Sequence, residues 1–333
     1  MGSSDPGPIY DKPNKPAKLL LENIGSSKSV EITLYKTVLY GPNATGKTTV
    51  ARAIEYAIKL LGGIPIDCAK LMDLITHKAT EGRIALEPYE ILLRKQEDLQ
   101  ITIKRNSQDL HAGECRGGLY STGLHVDLND LGIDMLVWVK YDAMKITGIG
   151  LGSEGVYNLT DLFRPSVIGR LINRSASPAR IASEYNEYRT AVNHDLSIVT
   201  NGWFDLQDQL FFNDHDNYYE LDYVADGIKK AALIIASKHI AERLRESGRK
   251  PIMFVESFES ALHVDYVKAI LDMLDKGNVP VVIETHSGYV LKYAVTNKWN
   301  AYVIEDGNAY TDLTNPELFK REREVVSELA GIL

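Results

Sequence analysis

Eight residues, Gly41-Pro42-Asn43-Ala44-Thr45-Gly46-Lys47-Thr48, restrict what this chain can fold into more than any other part of its sequence. Gly-x-x-x-x-Gly-Lys-Thr is the spacing of a phosphate-binding loop. Its glycines allow torsions that turn several backbone N–H groups inward, and the helix that begins near Lys47 adds its positive end. Lys47 reaches the β- and γ-phosphates, and the Thr48 hydroxyl ligates magnesium. Such a loop has to join a buried strand to a helix. Thr37-Val38-Leu39-Tyr40 supplies the strand, and Val50, Ala53, Ile54, Ala57, Ile58 and Leu61 recur at helical spacing until Gly62-Gly63 stops them. The expectation is an α/β P-loop NTPase with ATP and Mg2+ as its ligands, bound by residues 41–48 and the adjoining Thr49.

The remaining pattern indicates what surrounds the loop. Leu19-Leu20-Leu21 and Val30-Glu31-Ile32-Thr33-Leu34 flank a Gly25-Ser26-Ser27 turn and read as paired strands. Residues 89–95 and 99–104 alternate about the polar Gln96-Glu97-Asp98 and predict an antiparallel pair, and Met135-Leu136-Val137-Trp138-Val139 predicts a further strand. A break at Ser175-Ala176-Ser177-Pro178 precedes a helical stretch over 177–199. A helix from Gly227 to about Ser247 then leads into a buried strand at 252–255, a helix from Val264 to about Leu274, and a strand at 279–283. The division these features suggest is a Pro-, Gly- and Ser-rich flexible lead-in over 1–17, one ATPase lobe over 18–159, a helical insertion over 160–205, and a second lobe over 206–333.

Composition narrows the setting. The 333 residues are 44% apolar, enough for a substantial core. No apolar run is long enough to span a bilayer, and the N-terminus lacks a charged segment leading into an apolar one, so no membrane association and a cytoplasmic location are expected. The net charge of −8 argues against a surface that is basic all over, while leaving room for a local basic stripe. Cys68 and Cys115 are far apart, with neither a second cysteine nor a closely spaced histidine beside them. That argues against a zinc site or a disulfide framework and for ordinary buried thiols. Two cysteines and five glutamines beside many Glu and Lys lean toward a heat-adapted source.

Three later motifs bear on chemistry. The apolar strand 252–255 ends in Glu256, and a buried parallel strand there would hold this acid near the magnesium opposite Thr48; a strand ending in a solvated glutamate has the same pattern. The strand over 279–283 runs into Glu284-Thr285-His286-Ser287, where His286 can donate to a γ-phosphate or orient water, or can simply flank a helix start. Val224-Ala225-Asp226-Gly227-Ile228-Lys229-Lys230 opens an apolar helix. Its first N–H groups, at Asp226 and Gly227, can face a second nucleotide across a dimer interface, although Asp-Gly before a helix is also plain capping.

In their order, Asn23-Ile24-Gly25, the loop with Thr49, Asp226-Gly227-Ile228-Lys229, Phe254-Val255-Glu256-Ser257-Phe258-Glu259-Ser260-Ala261-Leu262-His263 and Glu284-Thr285-His286-Ser287 resemble the RecF/SMC/OLD-like branch of ABC-type ATPases over roughly residues 18–310. The resemblance implies an ABC-type ATPase head with an antiparallel β subdomain and a short helical insertion. It also implies two heads sandwiching two ATP molecules, with dimerisation on ATP and separation after hydrolysis. By this alignment Glu256 is the magnesium-side acid and His286 the γ-phosphate sensor. Ser257 stands where the family has the glutamate that polarises water, and Ala225 where it has a signature serine. A serine is a poor base, so hydrolysis is expected to be slow, unless a shifted register makes Glu259 the base. No glutamine lies between Gln108 and Gln207 to serve as the usual Gln loop; Asp142 is the substitute.

The leading expectation is an ATP-driven conformational switch in DNA maintenance, repair or defence, in which the helical insertion or Lys229, Lys230, Lys238, Arg243, Arg245, Arg249 and Lys250 meet DNA or a protein partner. Those basic residues equally fit a solvated helix face. The alternative is a nucleotide-dependent assembly module with little turnover.

Overall fold

A computed structural model describes residues 16–124, 126, 130–140, 144–150, 153–172, 177–314 and 319. Most of the expected lead-in, and Asp142, lie outside them. The first part of the chain runs β1 (Lys18–Ile24), β2 (Ser27–Thr33), β3 (Thr37–Tyr40), α1 (Lys47–Leu61), β4 (Ile66–Asp67), α2 (Cys68–Leu74), β5 (Glu81–Leu86), β6 (Tyr89–Lys95), β7 (Leu99–Arg105), β8 (Gln108–Cys115) and β9 (Leu119–Tyr120). Next come β10 (Met135–Lys140), β11 (Lys145–Gly150), β12 (Ser153–Asn158), α3 (Pro165–Ile172), α4 (Pro178–Thr200), β13 (Trp203–Leu206), β14 (Leu210–Asn213) and β15 (Tyr218–Glu220). The last part is α5 (Asp226–Glu246), β16 (Pro251–Val255), α6 (Val264–Lys276), β17 (Val281–Thr285), α7 (Gly288–Thr296), β18 (Asn300–Glu305) and β19 (Asn308–Tyr310).

β3, β16 and β17 are buried at every position, as strands covered on both faces must be. They are neighbours in a 14-stranded sheet of order β12-β11-β10-β16-β17-β3-β18-β19-β2-β1-β5-β6-β7-β8. From β10 to β18 the pairing is parallel throughout. From β2 through β8 it is antiparallel, with the alternating burial of strands that have one covered face. Alternate residues of the central strands feed two cores. Leu39, Ile252, Phe254 and Val282 pack with α1, α2 and the antiparallel strands. Val38, Met253, Val255, Val281 and Ile283 pack with the helices of the opposite face.

Tyr185, Tyr188, Val192, Leu196 and Val199 of α4 enter that second core beside α5 and α6, so the helical stretch of 160–205 packs directly against the helix that opens at Asp226. Ser177 caps α4 by accepting the Arg180 N–H, and Pro178 occupies its first turn.

One expectation is corrected, and the basic residues named for a partner are located. Cys68 and Cys115 are buried but are joined by a disulfide, with their Cα atoms 5.7 Å apart. Pairing of β4 with β9, and the Cys68 N–H bond to the Gly118 carbonyl, bring the two together; nothing in their spacing reveals that contact. The basic residues of α5 and its sequel do not form a free cationic face. Lys230 is fully buried and Lys238 nearly so; Arg243 pairs with Glu187 and Arg249 with Asp134; Arg245 donates to the Asn278 carbonyl, Lys250 to the Leu131 carbonyl, and Lys229 to Asp226. Apolar residues on most sides of α5 bury its middle, and Lys230 and Lys238 are drawn in with it.

Candidate functional site

The glycine loop leaves β3 at its C-terminal edge and enters α1 through Gly46, which has φ +108 and gives the helix no side-chain cap. The Thr49 N–H bonds to the Gly46 carbonyl at 3.1 Å, and no side chain caps the N–H groups of Lys47 and Thr48, which have the positive end of the helix behind them. Gly41 needs its missing side chain: a Cβ there would lie 2.3 Å from the Ile304 carbonyl oxygen of the adjacent β18. Asn43 and Ala44 are exposed, and Thr45 ties the loop by donating to the Pro42 carbonyl at 3.0 Å. Lys47 is 3% exposed and donates to the Gly41 and Pro42 carbonyls at 2.8 and 2.6 Å, so its ammonium lies folded against its own loop. Burial holds its pKa below the usual lysine value, against the opposing pull of Glu284 and Glu259. Thr49, in the first turn of α1, lies beside Gly25, its side chain filling the space a Gly25 Cβ would need.

The acids divide differently from the expectation. Thr48 Oγ1 donates to Glu284 Oε2 at 2.8 Å, whereas Glu256 accepts the Trp138 indole N–H at 3.1 Å. Glu284 is 5% exposed. Burial raises its pKa, the Thr48 bond and Lys47 lower it, and Glu256 and Glu259 raise it further. The sequence reading passed over Glu284, although its position two residues after Val282 puts it on the α1 face of its strand.

Glu259 is engaged at both oxygens. Oε2 accepts from Thr285 Oγ1 at 2.6 Å and Oε1 from the His286 N–H at 2.8 Å, which fixes the turn that presents His286. Burial and then Lys47 lower the His286 pKa, while Glu259 and a hydrogen bond with the Gly41 backbone work the other way. Its balance favours the neutral imidazole, a form that carries one N–H. Ser257 has φ +46, a left-handed conformation uncommon outside glycine, and its carbonyl accepts from Lys230 of α5.

Lys230 is the second side chain whose role here was missed. Its spacing from Leu233, Ile234 and Ser237 marks it as a residue of the buried helix face. Burial pulls its pKa down to about 8 against Glu259, Glu256 and Glu284. The start of α5 also meets this loop: Gly227 packs on the Ala261 carbonyl, so closely that a Cβ would lie 2.5 Å from it. Asp226 is exposed, and the N-cap Ala225 supplies no side-chain acceptor.

Hydroxyl and carboxylate oxygens at Thr48, Glu284 and Glu256 are hard donors of the kind Mg2+ takes. Among the described residues no three His, Cys, Asp or Glu side chains are grouped to hold a metal ion by themselves. A cation here would need phosphate oxygens to complete its shell, the usual arrangement of Mg2+ at a nucleotide.

Fold and loop together define a mixed α/β fold of P-loop ATPase-like architecture, with an antiparallel β subdomain and a short helical insertion. In detail it is similar to an SMC head bound to the C-winged helix domain of ScpA, with a TM-score of 0.51 at 14% identity over 88% of this chain and 95% of that one. The SMC head domain from Thermotoga maritima gives 0.45 at 15% identity over 89% and 97%, and the recombination mediator RecF with ATPrS gives 0.46 at 13% over 89% and 98%. At such identities the likeness is one of fold. Neither a protein-family model nor a curated protein matches the chain. No helix among the described residues is long and apolar enough to cross a membrane.

Proposed function

We propose that this chain is a head that binds ATP with Mg2+, dimerises around two ATP molecules, hydrolyses them slowly, and works as a conformational switch in DNA maintenance, repair or defence. The observation that carries the reading is the convergence of the uncapped α1 N-terminus, the Lys47 ammonium and the Thr48 hydroxyl on one glycine loop. Lys47 would exchange its loop carbonyls for β- and γ-phosphate oxygens, the amides of residues 43–49 would cradle the phosphates, and neutral His286 would donate to the γ-phosphate. Mg2+, held by Thr48 and a carboxylate, would neutralise charge on the phosphate oxygens. The start of α5 at the exposed Asp226 and at Gly227 would face the partner's nucleotide.

Slow turnover follows from Ser257 and Glu259. The first carries no carboxylate to polarise water, and both oxygens of the second already hold the His286 turn. This keeps the assembly-module reading alive as the second choice. A cytoplasmic setting goes with the proposal, and the disulfide is compatible with it in a heat-adapted cell.

Light scattering with and without ATP and magnesium, beside phosphate release on the same sample, tests the reading. Dimers with turnover support it, dimers without turnover favour the assembly module, and monomers in both states overturn it. Ser257→Glu is expected to raise turnover by at least about tenfold if water activation is the missing term; an unchanged rate means the base belongs elsewhere. Stimulation of the ATPase by DNA, weakening with salt, is expected if DNA is a direct partner.

A further inference from the structure

We infer that Glu284, rather than Glu256, is the carboxylate that sets the divalent cation at Thr48. The inference rests on the nucleotide reading above and assigns a metal-side role to a residue outside the acid-ended strand 251–256.

The argument begins with strand order. Across the sheet the sequence is β10, β16, β17, β3, so β17 lies directly beside the strand that feeds the loop and β16 lies one strand further out. Glu284 follows Ile283 in β17 and shares the α1 face with Val282. Its Oε2 accepts the Thr48 hydroxyl at 2.8 Å, and its side chain is almost fully buried. Glu256, at the end of β16, turns toward β10, where its Oε2 accepts the Trp138 indole N–H. Trp138 is itself fixed, 3% exposed and edge-on to Phe254. The printed bonds thus tie Glu284 to the loop threonine and Glu256 to the indole of β10.

The hydroxyl chemistry fits. A threonine Oγ carries one proton and two lone pairs. Donating the proton to Glu284 leaves the lone pairs free for a cation, so the hydrogen bond that fixes the Thr48 rotor also aims its acceptor side. Partners that orient a ligand in this way are typically worth about 10–100-fold in metal affinity.

The test is the affinity of a fluorescent N-methylanthraniloyl ATP measured in magnesium and in EDTA, for the wild type, Glu284→Gln and Glu256→Gln. The magnesium-dependent gain in affinity is expected to fall by at least about tenfold in Glu284→Gln, with EDTA affinity kept or improved, and to stay within about threefold of wild type in Glu256→Gln. Retention of the gain by Glu284→Gln, or its loss in Glu256→Gln alone, overturns the assignment while leaving ATP binding intact. Should Glu284→Gln not melt cooperatively, Glu284→Asp decides: it keeps the charge but shortens the reach to Thr48, and loss of the gain supports the assignment while retention overturns it. A wild type that binds the probe under neither condition overturns both this inference and the nucleotide reading.

Discussion

Gly41 and Lys47 depend on each other through one piece of backbone. The Gly41 carbonyl receives the Lys47 ammonium, while the Gly41 Cα sits against the Ile304 carbonyl with no room for a methyl group. Gly41→Ala should therefore displace the carbonyl that holds the lysine as well as crowd β18. We expect a loss of about 1–3 kcal/mol of stability, the range of a typical damaging substitution, together with weaker nucleotide binding. Lys47→Ala should behave differently, leaving the melting temperature close to wild type while removing most of the affinity for ATP. Parallel melting curves and nucleotide titrations separate the two. If Gly41→Ala melts and binds like wild type, the close approach to Ile304 does not constrain the loop.

At the scale of elements, the disulfide fastens α2 to the end of β8 across 47 residues of sequence. The enclosed chain contains β5, β6 and β7, the middle of the antiparallel region. Cross-linking a loop of this length restricts the unfolded chain, and removing a native bridge typically costs about 2–5 kcal/mol. Cys68→Ser with Cys115→Ser should lower the melting temperature by several degrees while leaving ATP binding nearly unchanged, because Cys115 ends β8 at the edge of the sheet, with β18, β19, β2, β1, β5, β6 and β7 between it and β3 in strand order, and Cys68 is held against it. Equal melting with and without reductant would show that the bridge does not contribute.

For the whole molecule, the junction between the helical insertion and α5 is electrostatic as well as apolar. His239 of α5 pairs through Nε2 with Asp195 of α4 at 2.8 Å and through Nδ1 with Glu242 at 3.2 Å, and Lys238 reaches the same two acids. Burial opposes the charge on His239, but its bonds to Asp195 and Glu242 outweigh burial and Lys238 and raise its pKa. Burial likewise opposes both acids, and His239 and Lys238 bring them below their usual values. The raised His239 contributes stability that is complete below about pH 6.5 and fades as pH rises through its folded value. The two lowered acids contribute stability present above about pH 4 and lost as pH falls through their folded values. The junction should thus be strongest between about pH 4.5 and 6.5. Melting temperature measured against pH should fall on the alkaline side of that window, and Asp195→Asn should flatten the fall. An alkaline slope unchanged by Asp195→Asn would mean that some other group causes it.

The sequence by itself determined what can be read within one strand, loop or helix. The glycine loop, the buried strands on either side of α5 and α6, the first hairpin and the long α4 all follow from local spacing, because backbone torsion and side-chain period are properties of consecutive residues. Contacts between distant segments were decided by tertiary structure. Cys68 met Cys115 through the β4–β9 pairing, Lys230 and Lys238 were buried because the middle of α5 was, and Thr48 found Glu284 instead of Glu256 because β17 rather than β16 lies beside β3. A strand ending in an acid looks the same in either position of the sheet. Only the order of the strands settles which carboxylate reaches the loop, and that order depends on pairings between residues more than two hundred positions apart, such as Thr37 with Val282.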